Sequence, residues 1–311
     1  MNKARSPHTV PAAPVEASVE ASAGANEDIV LVDEASASRV TLRPSRGAIV
    51  TSFLVGAREL LYLDASTLDD SSKNVRGGIP LLFPSPGKLE GDAWARGGRS
   101  GSMRQHGFAR TSPWRGCART HATAPSVRLE LTSDDATRAA YPFDFAVELT
   151  CTLAGTTLRI DHVVENRGRD PMPFAFGFHP YFLVRDKARA RIATAATRAF
   201  DNVTKTEVPF TGFEGRFDLT GDEVDVHLHD HGSTTSRLTL EDGASIAIEA
   251  SPEYTRWVVW TQRGKDFVCV EPWTAPANAL NTGESLLVLA PGAARALWMS
   301  LAFTPAPANA P

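Results

Sequence analysis

Three fragments of this 311-residue sequence set titratable side chains among apolar and aromatic neighbours. Glu271 closes the run Phe267-Val268-Cys269-Val270 and is followed by Pro272-Trp273. His106 lies in Gln105-His106-Gly107-Phe108-Ala109-Arg110, and His179 in Gly177-Phe178-His179-Pro180-Tyr181-Phe182. One carboxylate and two imidazoles are groups that a proton-transfer site needs. Apolar surroundings would raise the Glu271 pKa and keep it able to take and give a proton near neutral pH. The alternative is a rim carboxylate or one half of a buried ion pair. His179 is a catalyst or a satisfied core residue, with Pro180 holding the backbone just after it. The same two readings apply to His106.

Other residues widen the choice. Arg76 and Arg110 sit beside glycines or aromatics, and their guanidinium forks suit carboxylate or phosphate oxygens; otherwise they are surface arginines. His227, His229 and His231 alternate with Asp225 and would share one face of a strand. They read either as ligands for a divalent metal or as an exposed strand end. No phosphate-cradling GxxxxGK[ST], dinucleotide GxGxxG or nucleophile-elbow GxSxG pattern occurs, which argues against nucleotide cofactors and a serine hydrolase.

Such residues need a frame, and the pattern from about residue 29 to 303 is period-2 alternation. Phe143, Phe145, Val147, Leu149, Cys151 and Leu153 mark one strand face, and Leu158, Ile160 and Val164 resume after the turn Ala154-Gly155-Thr156. Leu238 and Leu240 precede Asp242-Gly243, with Ile246 and Ile248 after it, which is a hairpin signal. Leu297, Met299, Leu301 and Phe303 end the chain in the same rhythm. With no amphipathic helix longer than three turns, an all-β fold is expected: a single large antiparallel β-sandwich over residues 28–304. Residues 1–27 read as a disordered leader without a secretory signal, and 305–311 as a flexible tail. The long, Gly- and Pro-rich stretch from about 65 to 115 is the expected pocket wall.

The net charge of −4 gives no electrostatic reason to expect a nucleic-acid or membrane partner. No stretch approaches the roughly 20 apolar residues of a membrane span. Three cysteines without CxxC spacing point to free thiols and a cytoplasmic protein. A monomer or weak dimer is expected.

In order, Arg76-Gly-Gly-Ile-Pro-Leu-Leu-Phe-Pro, Gln105-His-Gly-Phe-Ala-Arg, Gly177-Phe-His-Pro-Tyr-Phe, Phe267-Val-Cys-Val-Glu-Pro-Trp and Asn281-Thr-Gly-Glu resemble the aldose 1-epimerase (mutarotase) family. The resemblance implies a β "supersandwich" that interconverts the α and β anomers of hexoses with no metal or organic cofactor. It implies Glu271 as the general base on the C1 hydroxyl, His179 as the general acid on the ring oxygen, and His106 as a group polarising that oxygen. Asp225 would hold sugar hydroxyls, with Gln105 also in the binding set. Arg76 and Arg110 resemble the phosphate clamp of the hexose-6-phosphate branch, although His179-Pro-Tyr-Phe stands where that branch has His-Thr-Tyr-Phe. The competing reading is a carbohydrate-binding protein that keeps the fold without catalysis.

Overall fold

The computed structural model describes residues 28–70, 72–120 and 124–307. The expected leader, 1–27, lies outside the described residues, as do the last four residues of the expected tail. Among the described residues α-helix is confined to Ala65–Leu68, Asp135–Ala140 and Ala279–Thr282, besides a few 3-10 turns, so strands carry the architecture. Among the described residues no helix is long and apolar enough to cross a membrane.

Two eight-stranded antiparallel sheets dominate. One is centred on Phe145–Ala154, Thr157–Asn166 and Ala294–Thr304. The hairpin between the first two turns at Gly155, whose φ of +60° suits a residue without Cβ. Thr235–Thr239 and Ser245–Ala250 form the hairpin around Asp242-Gly243. In the other sheet Glu223–His229, Arg256–Gln262 and Phe267–Trp273 lie side by side. The short strands Gly177–Phe178 and Tyr181–Leu183 both pair with the last of these.

The core lies between the sheets. Val147, Leu149, Cys151, Leu158 and Ile160 from one meet Val226, Leu228, Val259, Val268 and Val270 from the other in one buried cluster. Each fully buried Val, Leu or Ile contributes about 1.5–3 kcal/mol. That stabilisation leaves the opposite face of the second sheet free to carry polar groups. Alternation sends Asp225 and His227, Val258 and Trp260, and Cys269, Glu271 and Trp273 to that opposite face. Cys151 and Cys269 are buried free thiols.

Candidate active site

The polar face of the second sheet is the floor of a cleft of about 440 Å³, within the range of about 300–1,000 Å³ usual for small-molecule sites. Strand register arranges the floor in rows: His227 opposite Val258 opposite Glu271, and Asp225 opposite Trp260 opposite Cys269. The walls come from the 65–115 stretch, which contributes Arg76, Lys88, Gln105, His106 and Arg110. A larger crevice of about 540 Å³, beside Arg58, Glu59, Arg185 and Glu241, contains no histidine.

Glu271 is 1 % exposed. Its Oε2 accepts a hydrogen bond from the Trp273 indole at 3.0 Å, and its Oε1 lies 3.3 Å from His179 Nδ1. Burial pushes its pKa well above the usual carboxylate range, the nearby Asp225 carboxylate adds to this, and the Trp273 bond opposes it. The His179–Glu271 contact is close but not aligned as a hydrogen bond, so Nδ1 has no hydrogen-bond partner among the described residues.

His179 stands in the turn between Gly177–Phe178 and Tyr181–Leu183. Its backbone N–H donates to the Pro80 carbonyl, and its ring stacks on Tyr181 at 4.6 Å and 6°. Burial, with Arg110 and Arg76 nearby, lowers its pKa to about 3. Gly177 is needed for close approach: a Cβ there would come 2.8 Å from the Trp273 ring.

His106 is held by a reciprocal pair of bonds with Gly87. Its backbone N–H donates to the Gly87 carbonyl at 2.8 Å, and the Gly87 N–H donates to its Nδ1 at 3.0 Å. An Nδ1 that accepts carries no proton, so the neutral ring holds its proton on Nε2. Burial first, then Arg110 and the neighbouring histidines, keeps this ring neutral by pushing its pKa well below normal. His106 adopts a φ of +73°, an uncommon conformation for a residue with Cβ and the kind of local strain found at functional sites. The next residue must be Gly107, because a Cβ there would fall 2.2 Å from the Phe83 carbonyl oxygen.

Arg76 and Arg110 form the cationic end. Neither makes an ion pair with a described carboxylate. Arg76 lies 5.6 Å over the Trp260 ring. Arg110 donates from Nη2 to the Gln105 carbonyl at 2.8 Å, while its Nε is buried and has no hydrogen-bond partner among the described residues. Burial and the neighbouring Arg76 lower the Arg110 pKa to about 10. At the other end, Asp225 accepts from Asn202 Nδ2 at 2.6 Å and lies 3.6 Å from His227.

All seven residues singled out in the sequence, Arg76, Gln105, His106, Arg110, His179, Asp225 and Glu271, line this one cleft. Gln105 holds Arg110 through its main chain. The three alternating histidines do not form a ligand set. Only His227 joins the cleft, His229 pairs with Glu207 at 2.6 Å, and His231 lies past the strand end, where its Nδ1 accepts from the Ser233 N–H. Trp273, Trp260 and Asn202 carry weight that the sequence reading did not give them. The i, i+2 spacing of Glu271 and Trp273 was the available signal for the first; the other two are brought in by pairing between strands.

The profile of the family described as Aldose 1-epimerase matches residues 30–302. A Cenchrus ciliaris protein named "Putative glucose-6-phosphate 1-epimerase" is 26% identical over 262 residues, 78% of this chain and 72% of that protein. An Escherichia coli K12 protein with the same name is 31% identical over 150 residues, 48% of this chain and 46% of that one. Among solved structures, the Slr1438 protein of Synechocystis superposes with a TM-score of 0.86 at 35% identity, covering 90% of this chain and 96% of that one. A galactose mutarotase-like protein of Clostridium acetobutylicum shares the fold, with a TM-score of 0.78 at 16% identity over 93% and 99% of the two chains.

Proposed function

The chain belongs to the aldose 1-epimerase family, and from that premise we propose that it interconverts the α and β anomers of a hexose 6-phosphate. The observation that carries this reading is the buried His179–Glu271 contact at 3.3 Å on the floor of the cleft. A pure sugar binder has no need to hold a carboxyl and an imidazole together out of water.

Glu271 takes the proton of the C1 hydroxyl while His179 gives one to the ring oxygen, and the C1–O5 bond opens to the aldehyde. His106, with its proton on Nε2, donates a hydrogen bond to the ring oxygen. After rotation about C1–C2 the two residues exchange roles, and the ring closes on the other face of the carbonyl. Net proton count is unchanged, because one proton shared by the pair crosses the sugar and returns. The reaction also runs in water, so an acid and a base in fixed positions suffice.

Burial favours the neutral forms, carboxylic acid and neutral imidazole. Starting the reaction therefore requires proton affinity to move from Glu271 towards His179. The two arginines beside His179 oppose that move, and a phosphate bound to them offsets their charge. Phosphate recognition thus aids the acid as well as the binding. The support for a phosphorylated substrate is the pair of arginines without carboxylate partners, together with the names carried by the curated relatives.

The test is magnetisation-exchange NMR on D-glucose 6-phosphate and D-glucose with wild type and Glu271→Gln. Faster exchange for the phosphorylated sugar, lost in the variant, supports the reading. Equal rates with and without protein for every hexose tested would leave a binding protein.

A further inference from the structure

Below the proton-transfer pair lies a third side chain that the reaction does not use. Cys269 and Glu271 are two apart on one strand and face the same way. Gly177 pairs with Trp273 and Tyr181 with Cys269, so His179 is set opposite the segment between them. The result is that a His179 ring nitrogen, Cys269 Sγ and a Glu271 carboxylate oxygen all lie within 4.8 Å of one another. His179 Nδ1 is buried and without a hydrogen-bond partner among the described residues, although an oxygen of Glu271 is only 3.3 Å away. A buried, unpartnered imidazole nitrogen close to a thiol and a carboxyl is an arrangement that a cation would complete.

We propose that His179, Cys269 and Glu271 form an inhibitory zinc site at the base of the cleft. The donor set is one nitrogen, one sulfur and one oxygen, and a thiolate favours zinc over magnesium or calcium. Zinc bonds of about 2.0–2.3 Å in a tetrahedron place donor atoms roughly 3.3–3.7 Å apart. Side-chain adjustment of about 1 Å closes the present arrangement onto that geometry. Three protein ligands leave the fourth position open, and His179 and Glu271 line the cleft through which the ion and its water would enter. Binding releases the Cys269 thiol proton, and the Glu271 proton where the carboxyl carries one, so it weakens as pH falls. The lone pairs taken by the metal are those that proton transfer requires, so zinc and sugar turnover exclude one another. This inhibitory half rests on the proposed function, whereas metal binding does not.

Cobalt separates the two. The metal-free full-length chain titrated with Co²⁺ is expected to develop a thiolate-to-cobalt charge-transfer band in the near ultraviolet. The band should saturate at one equivalent and disappear when Zn²⁺ is added. Cys269→Ser and His179→Gln, each checked for folding by circular dichroism, should each weaken binding by more than about tenfold. No thiolate band in the folded wild type, or a band that survives in Cys269→Ser, overturns the site. Zn²⁺ at the concentration that fills it should slow anomerisation, with relief by excess sugar. Full activity with the site filled would overturn the inhibition while leaving the metal site intact.

Discussion

The Trp273 indole donates its hydrogen bond to Glu271 Oε2 from two residues along the same strand. One carboxylate oxygen is therefore fixed, and the other is turned towards His179. Trp273 also packs edge-on against His106 and His227, so one ring steadies three groups of the cleft. Hydrogen bonds to charged groups are worth about 1.5–3 kcal/mol, which corresponds to roughly 10- to 100-fold in rate. Trp273→Phe should lower kcat by that order with a smaller change in KM. Because the lost bond favours the ionised carboxyl, the acid limb of the pH–rate profile should move to higher pH. An unmoved profile would make Trp273 a packing residue only.

Glu271→Gln and His179→Asn should each reduce kcat by about 10²–10⁴-fold, the usual worth of a general acid or base. The same Glu271→Gln change should make the protein more stable. The folded-state pKa of Glu271 is raised, so its contribution is fully present below the unfolded value of 4.5 and is lost as pH rises. Gln has no such loss. The gain in urea midpoint over wild type should therefore grow between about pH 5 and pH 8. A midpoint difference that stays constant with pH would show that Glu271 ionises in the fold much as it does in the unfolded chain.

Arg76→Ala and Arg110→Ala should raise KM for hexose 6-phosphate without slowing glucose turnover, since each change removes a cation that opposes protonation of His179. The sharper expectation concerns catalysis in pieces. Phosphite dianion added to wild type should speed glucose anomerisation severalfold by offsetting the cations beside His179, and should do nothing in Arg110→Ala. Inhibition or indifference in wild type would confine the arginines to binding or to structure.

His162 is a core histidine far less useful for chemistry than for stability. Its ring stacks on Phe176 at 4.0 Å, and its Nε2 meets the Tyr254 hydroxyl at 3.2 Å. Burial lowers its pKa from 6.5 to about 3. The unfolded chain therefore binds a proton that the folded one refuses, and stability falls as pH drops from 6.5 towards 3. Each pH unit in that window costs about 1.4 kcal/mol for one such group. In urea unfolding, His162→Phe should start less stable, since Tyr254 loses its partner, yet decline less steeply between pH 6 and pH 4. Parallel slopes would remove His162 as a source of acid sensitivity.

Period-2 alternation was enough to read the sheet class, the hairpins at Gly155 and Gly243, and the faces of the long strands. Chain-local chemistry marked Glu271, His179, His106 and the two arginines as unusual, and the family resemblance gave them roles. The alternation of His227, His229 and His231 left a metal reading open that the structure does not support, because a shared face does not bring ligands to a point. Successive same-face residues lie nearly 7 Å apart along a strand, and here the strand ends at His229. Register between strands, decided by packing of the core face, set His227 beside Val258 and Glu271, and Asp225 beside Trp260 and Cys269. Sequence alone determined which side chains could share a face. Only tertiary structure decided which of them touch, because contacts across a sheet and from loop to floor join residues far apart in the chain, as His106 meets Trp273.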